Sequence, residues 1–166
     1  MRRAAGGRAR SAPSIDIVIQ SGWWKRRPKA AQIVRKSIAA AAKAASTREA
    51  ELAIVLTDDS AIRALNRTWR GLDAPTNVLS FPANNPRPGP RVLGDIVIAY
   101  QTMAREARDE GKPFEHHLAH LAVHGYLHLL GYDHENDRDA RRMERFEVDI
   151  LNRLGVPDPY AARPAR

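Results

Sequence analysis

The stretch His124-Gly-Tyr-Leu-His128-Leu-Leu-Gly131-Tyr-Asp-His134 places three histidines at i, i+4 and i+10. The first two lie in an apolar-periodic run, Leu118, Leu121, Ala122, Leu127, Leu129 and Leu130, which predicts a buried amphipathic helix. Residues four apart share one helix face, so His124 and His128 aim two imidazoles at one point. Gly131 is the expected helix stop, because glycine enters the left-handed region at little cost. The chain then turns back and delivers His134 as a third nitrogen. Three nitrogens with a fourth position open is the donor pattern of a catalytic zinc site. An i, i+4 histidine pair alone on a core-facing helix is more often only hydrogen-bonded; the glycine stop and the third histidine turn the reading toward metal. His116 and His120 continue the column, but each step of four residues drifts by about 40°. They therefore turn away from the point His134 reaches and are expected to be exposed or, at most, to back a ligand.

The spacing matches H-E-x-x-H-x-x-G-x-x-H of metzincin peptidases, glycine included. The glutamate that acts there as general base is here Gly125. General-base assistance is worth about 10²–10⁴-fold, so a peptide hydrolase built on this motif is handicapped. Gly125 is read either as a close-packing residue at the metal or as a position where nothing larger fits.

The 166 residues fit a single domain with a real core. No stretch approaches a membrane span and no apolar segment follows the arginine-rich start, so neither a membrane protein nor a secretory leader is expected. Without cysteine, any zinc must take histidine or carboxylate ligands. The net charge of +8 invites nucleic acid, yet Arg2, Arg3, Arg8, Arg10, Arg163 and Arg166 supply six of those charges from the two ends. The rest is local: Lys25, Arg26, Arg27, Lys29, Arg35, Lys36 and Lys43 form a run with no acid between Asp16 and Glu49. It reads as an RNA-facing patch or as a solvated helix face.

Residues 1–14 read as a disordered basic tail, or as an organelle transit segment. Residues 15–156 form one domain, and 157–166 a C-terminal tail after Pro157 and Pro159. Within the domain, strands are expected at Ile15–Ile19, Glu51–Leu56, Val78–Phe81 and Leu93–Ala99. Helices are expected from Pro28 to about Ala45, from an Asp58 or Asp59 cap to about Trp69 with Gly71 closing it, and from Tyr100 to Glu110. The histidine helix follows, then one from Asp137 to Leu154 with Met143, Phe146, Val148, Ile150 and Leu151 in the core. Ala61, Ile62, Leu65 and Trp69 form the apolar stripe of the second helix. Residues 84–91 are a proline loop. This order predicts an α/β fold, a mixed and mostly parallel sheet of about four strands with helices packed on it, the three-histidine site metzincin-like and Val78–Phe81 a sheet edge beside the proline loop.

Three segments together carry a resemblance: Leu65-Asn-Arg-Thr-Trp-Arg-Gly-Leu-Asp-Ala-Pro-Thr-Asn-Val-Leu-Ser-Phe-Pro82, Leu93-Gly-Asp-Ile-Val-Ile-Ala99 and Val123-His-Gly-Tyr-Leu-His-Leu-Leu-Gly-Tyr-Asp-His134. In content, order and spacing they resemble the YbeY family of bacterial rRNA maturation factors, over about Ile15 to Leu154. The resemblance implies a single-domain α/β protein holding one Zn2+ per chain through His124, His128 and His134, the residues that spacing selects. It implies a single-strand-specific endoribonuclease of small-subunit rRNA 3′-end maturation and ribosome quality control. Its expected partners are single-stranded rRNA, the small ribosomal subunit and assembly factors, in a cytoplasmic location. The family's functionally important arginine falls on Arg70. Oligomeric state stays open.

Arginine cannot act as a base at neutral pH, so Arg70 reads either as a phosphate clamp or as a helix-end arginine favoured by the dipole; the resemblance selects the clamp. Asp133 reads as a group that orients a ligand or takes a proton, or as a turn residue after Gly131. The missing peptidase base matters less for RNA, whose own 2′-hydroxyl can supply the nucleophile. Two other functions stay beside the nuclease: a metal-dependent peptidase, and a non-catalytic ribosome-assembly factor with structural zinc.

Overall fold

The computed structural model describes residues 12–47, 49–84 and 88–161. Most of the N-terminal tail, the last five residues and three residues of the proline loop lie outside them. Among the described residues, four strands and five α-helices follow one another as β1 Ser14–Ile19, α1 Ala30–Ala44, β2 Ala50–Thr57, α2 Asp59–Arg70, β3 Val78–Pro82, β4 Arg91–Ala99, α3 Tyr100–Asp109, α4 Phe114–Leu129 and α5 Asp137–Arg153. The strands form one mixed sheet in the order β1-β2-β4-β3. β1 and β4 run parallel to β2, with Ile17 opposite Ile54 and Ile54 opposite Ile96. β3 pairs antiparallel with β4, Val78 opposite Ile98, and forms an edge. The element order and the mostly parallel sheet are those expected from the sequence.

The C-terminal half of β4, Ile96–Ala99, is an unbroken apolar run, whereas Asp95 just before it is exposed. Ile96 and Ile98 join the main core, while Val97 and Ala99 face α2 in a smaller cluster with Ile62 and Leu79. A strand covered on both faces has no side left for polar residues. Across the main face, α4 packs against α1, α3, α5, β3 and β4. Leu118, Ala122, Tyr126 and Leu127 are fully buried. α4 is thus the centre of the molecule, and whatever it carries is held by the whole fold. No described helix is long and apolar enough to cross a membrane.

Three local features depart from the sequence reading. A short 3-10 helix at Gly22–Arg26, capped by Ser21, precedes α1. Its period of three is masked in a segment as short as this. Pro28 sits in the turn before α1, which starts at Ala30. Trp69 does not join the buried stripe of α2; it is 68% exposed and meets only the edge of Phe81, ring centroids 6.1 Å apart. The helix ends one residue later, where Gly71 takes a φ of 70° and its N–H bonds the Arg67 carbonyl at 3.1 Å.

Candidate metal centre

α4 presents His124 and His128 one turn apart near its C-terminus. Their Nε2 atoms lie 3.0 Å from each other. The helix stops at once after them. Leu130 is the cap, Gly131 adopts a φ of 96°, and the Tyr132 N–H reaches back to the Leu127 carbonyl at 3.0 Å. The reversal carries His134 to the pair. Its ring centroid lies 5.0 Å from that of His128 and 5.9 Å from that of His124. One ligand atom from each of the three lies within 4.8 Å of the other two.

This donor set fits a single tetrahedral ion. Two nitrogens bound at about 2.0–2.1 Å stand about 3.3 Å apart, close to the spacing of the helical pair. Burial, with His124 and His134 beside it, lowers the pKa of His128 and keeps that ring neutral, as a ligand must be. His134 stands exposed on its turn.

The tautomer of His124 is set by a residue that sequence reasoning missed. Glu147 of α5 is wholly buried, and its Oε1 accepts from His124 Nδ1 at 2.5 Å. With Nδ1 committed as donor, Nε2 keeps its lone pair for an ion; a carboxylate behind a ligating imidazole is the usual arrangement of such sites. Oε2 of the same carboxylate accepts from His120 Nε2 at 2.9 Å and from the Tyr160 hydroxyl at 2.5 Å. Burial pushes the Glu147 carboxyl up, but the hydrogen bonds from His120 and His124 outweigh it and hold the group at about 2. Burial, then the Glu147 charge, raises the Tyr160 phenol far above its ordinary range, so it remains a donor. A signal for Glu147 was available. Met143, Ile150 and Leu151 are buried around it at helical spacing, and a glutamate on that stripe must have partners. Tyr160 carried no such signal.

Gly125 is explained by space. A Cβ there would come within 2.9 Å of Ile96 Cγ2 and 3.2 Å of Ser80 Oγ. The Ser80 hydroxyl also donates to the Gly125 carbonyl at 3.0 Å. α4 therefore presses on β3 and β4 at the level of the site, and no peptidase glutamate fits between them.

A cavity of 520 Å³ opens over the three histidines. Arg70, at the end of α2, lines it together with Ser80 of β3 and Asp133. The structure thus brings all four sequence-selected residues to one cleft. Arg70 takes no part in the ion pairs among the described residues, whereas its helix neighbour Arg63 grips Asp73 through two bonds of 2.9 and 3.2 Å. The Asp133 carboxylate accepts from the backbone N–H of His134 at 2.7 Å, which shapes the turn that delivers the third ligand. A second cavity, of 530 Å³, adjoins the first and shares Asn77, Val78 and His124 with it. Its wall holds buried His117, bound to Glu106 at 3.3 Å, while the other oxygen of Glu106 accepts from Asn77 at 3.1 Å. The basic run does not form one face. Lys25, Arg26 and Arg27 gather at the 3-10 helix, Arg35 donates to the Ile15 carbonyl at 2.9 Å, and Lys36 and Lys43 stand exposed on α1.

The family model described as Endoribonuclease YbeY matches residues 20–155. A Bradyrhizobium diazoefficiens relative named Endoribonuclease YbeY is 54% identical over 160 residues, covering 92% of this chain and 87% of the relative. A namesake from Rhodopseudomonas palustris (strain BisB18) is 56% identical over 156 residues, covering 90% and 93%. Among solved structures, a Thermotoga maritima protein determined in solution aligns over 92% of this chain and 99% of its own, with 22% identity and a TM-score of 0.49.

Proposed function

The chain belongs to the endoribonuclease YbeY family, and from that premise we propose that it is a zinc-dependent, single-strand-specific endoribonuclease. We place its action in 3′-end maturation of small-subunit rRNA and in ribosome quality control, in the cytoplasm, with the small ribosomal subunit and assembly factors as partners. The observation that carries this reading is the convergence of His124, His128 and His134 in a cleft that Arg70 also lines.

The three histidines hold the ion, His124 and His128 from the rigid helix and His134 from the turn. Held there, zinc supplies Lewis acidity toward a phosphoryl oxygen and lowers the pKa of water toward about 7. Arg70 stays charged throughout and offers a planar fork to the phosphate, so it stabilises the negative charge that grows on the phosphoryl oxygens in the transition state. With no ion partner of its own among the described residues, it has none to release first. Glu147 holds His124 in the ligating tautomer.

The test is cleavage of a labelled single-stranded RNA spanning a precursor small-subunit rRNA 3′ end. Wild type is compared with identically purified His128→Ala and Arg70→Ala, with zinc content measured on each. Cleavage should vanish with zinc in His128→Ala. In Arg70→Ala, zinc should be retained while the rate falls by about 10²–10³-fold, the usual cost of one transition-state donor. Equal cleavage by wild type and a zinc-free His128→Ala sample would assign the activity to a contaminant. RNA binding without cleavage by fully loaded wild type would favour an assembly factor.

A further inference from the structure

The adjacent tryptophans of the 3-10 helix have separate fates. Trp24 is buried, and its Nε1 donates to the Thr57 carbonyl at 2.8 Å. Trp23 is displayed, 40% exposed. It is held firmly all the same: its ring stacks on Tyr100 with centroids 5.8 Å apart and planes 21° apart. The Arg26 guanidinium lies 4.4 Å from its centroid. A lone exposed tryptophan needs no explanation. This one stands at the rim of a 520 Å³ cavity whose wall carries Arg26, Arg27, Arg105, Arg108 and Lys112 and no carboxylate. Three of the five have carboxylate partners outside the lining: Arg27 with Glu115 at 3.6 Å, Arg105 with Asp59 at 3.4 Å, and Lys112 with Glu110 at 2.8 Å. Arg26 and Arg108 take no part in any ion pair among the described residues.

We infer that this cavity is a second binding site for single-stranded RNA, with Trp23 as a base-stacking platform and Arg26 and Arg108 as its phosphate contacts. The inference rests on the nuclease reading for its ligand and extends it to a surface away from the metal centre. Aromatic rings interleaved with unpaired cations are what single strands bind: every base offers a π face and every linkage a negative charge. The Arg26 guanidinium on the ring is a long solvated side chain that a base displaces, and it then meets the phosphate beside that base. The site also connects with the cleft. Lys112 lines both this cavity and the 530 Å³ one, which in turn shares His124 with the metal centre. Glu106, Asp109 and Glu110 also line that intermediate cavity, so a strand engaged at both the histidines and Trp23 spans it through solvent rather than lying along its floor. A concave, cation-walled pocket with a planar aromatic rim suits a nucleotide better than an acidic protein surface.

The experiment is equilibrium binding of a length series of fluorescent oligouridylates to the full chain. Wild type, Trp23→Ala and the exposed double variant Arg26→Gln/Arg108→Gln are compared across a range of salt, and wild-type cleavage of RNA is scored separately. Wild-type affinity should step upward at the length that reaches the platform. Trp23→Ala should lose that step, roughly 5- to 150-fold for one stacked base. The double variant should flatten the plot of log affinity against log salt by about 1.4, two phosphate contacts at ~0.7 each. Because the double variant alters only exposed side chains, it keeps the test decisive if Trp23→Ala does not fold. If wild type cleaves RNA while both variants match it at every length and salt, the platform is overturned and the nuclease reading stands. If the variants instead lose only capture on polyglutamate, the surface is a protein contact and the platform is again overturned. If wild type neither binds nor cleaves RNA of any length, both readings fall.

Discussion

Replacing Glu147 by glutamine should weaken metal binding without touching a ligand. The substitution preserves volume but leaves one carbonyl oxygen where three donors, His124 Nδ1, His120 Nε2 and the Tyr160 hydroxyl, now share two. If the oxygen turns to His124, the new NH2 faces the other two. Tyr160 can rotate its hydroxyl to accept. His120 Nε2 is then left with only the Tyr160 oxygen at 3.2 Å to accept its proton, or the proton moves to Nδ1, a buried atom with no hydrogen-bond partner. If the NH2 turns to His124 instead, Nδ1 must accept, the proton moves to Nε2, and the lone pair for the ion is gone. Either arrangement costs free energy in the loaded state. Loss of a carboxylate behind a histidine ligand typically lowers metal affinity 10–100-fold, about 1.4–2.8 kcal/mol. The assay is competition for Zn2+ against a chromophoric chelator, starting from metal-free protein, with the Co2+ absorption spectrum as a report on ligand geometry. Tyr160→Phe is the control. It removes one bond to the same carboxylate, costs about 1–2 kcal/mol of folding stability, and leaves the His124–Glu147 bond in place, so its metal affinity should stay near wild type. Glu147→Gln with wild-type zinc affinity and an unchanged Co2+ spectrum would refute the orienting role of the carboxylate.

Gly125→Ala should destabilise the fold by about 1–3 kcal/mol, since its Cβ must displace Ile96 Cγ2 from 2.9 Å; a denaturant midpoint equal to wild type would show that β4 yields freely there. Metal-free wild type should lose stability on acidification below pH 4.5, the ordinary value of the Glu147 carboxyl, as the pH falls toward its folded value of about 2. The folded value is the lower one, so the contribution, about 3 kcal/mol, is full above pH 4.5 and drains away beneath it; a Glu147→Gln protein with a parallel pH–stability curve would remove this group as the cause.

The histidine motif and its glycine stop were legible because they are local: helical spacing and one left-handed residue suffice to bring three imidazoles together. The strand and helix order was legible for a similar reason, since each element carries its own period. What escaped depends on distance along the chain. Glu147 acts on a histidine 23 positions away, and Tyr160 reaches Glu147 from a segment that reads as an unstructured end. Periodicity gives a face, not the neighbour it meets. Trp69 departs from its stripe at the last turn of α2, where it stays exposed and meets Phe81 of the edge strand β3 edge-on. The basic run was open to two readings from sequence. Its residues are close in sequence, but α1 and the 3-10 helix distribute them over separate surfaces, with Lys36 and Lys43 exposed on α1, and the cations that join Arg26 and Arg27 are Arg105 and Arg108 of α3 and Lys112 beyond it.

Two of the three histidines that could hold a metal ion ride on α4, in the middle of the molecule, and the third stands on an exposed turn. The two parts keep different time. The backbone of a buried central helix opens to solvent only when the whole domain opens, whereas a surface turn opens by itself at far smaller cost. An ion held by the three would therefore not be locked in: opening of the turn at 131–136 would withdraw His134 while His124 and His128 stayed in register, so removal of the metal by a chelator is expected without unfolding. The arrangement would be a hook rather than a cage.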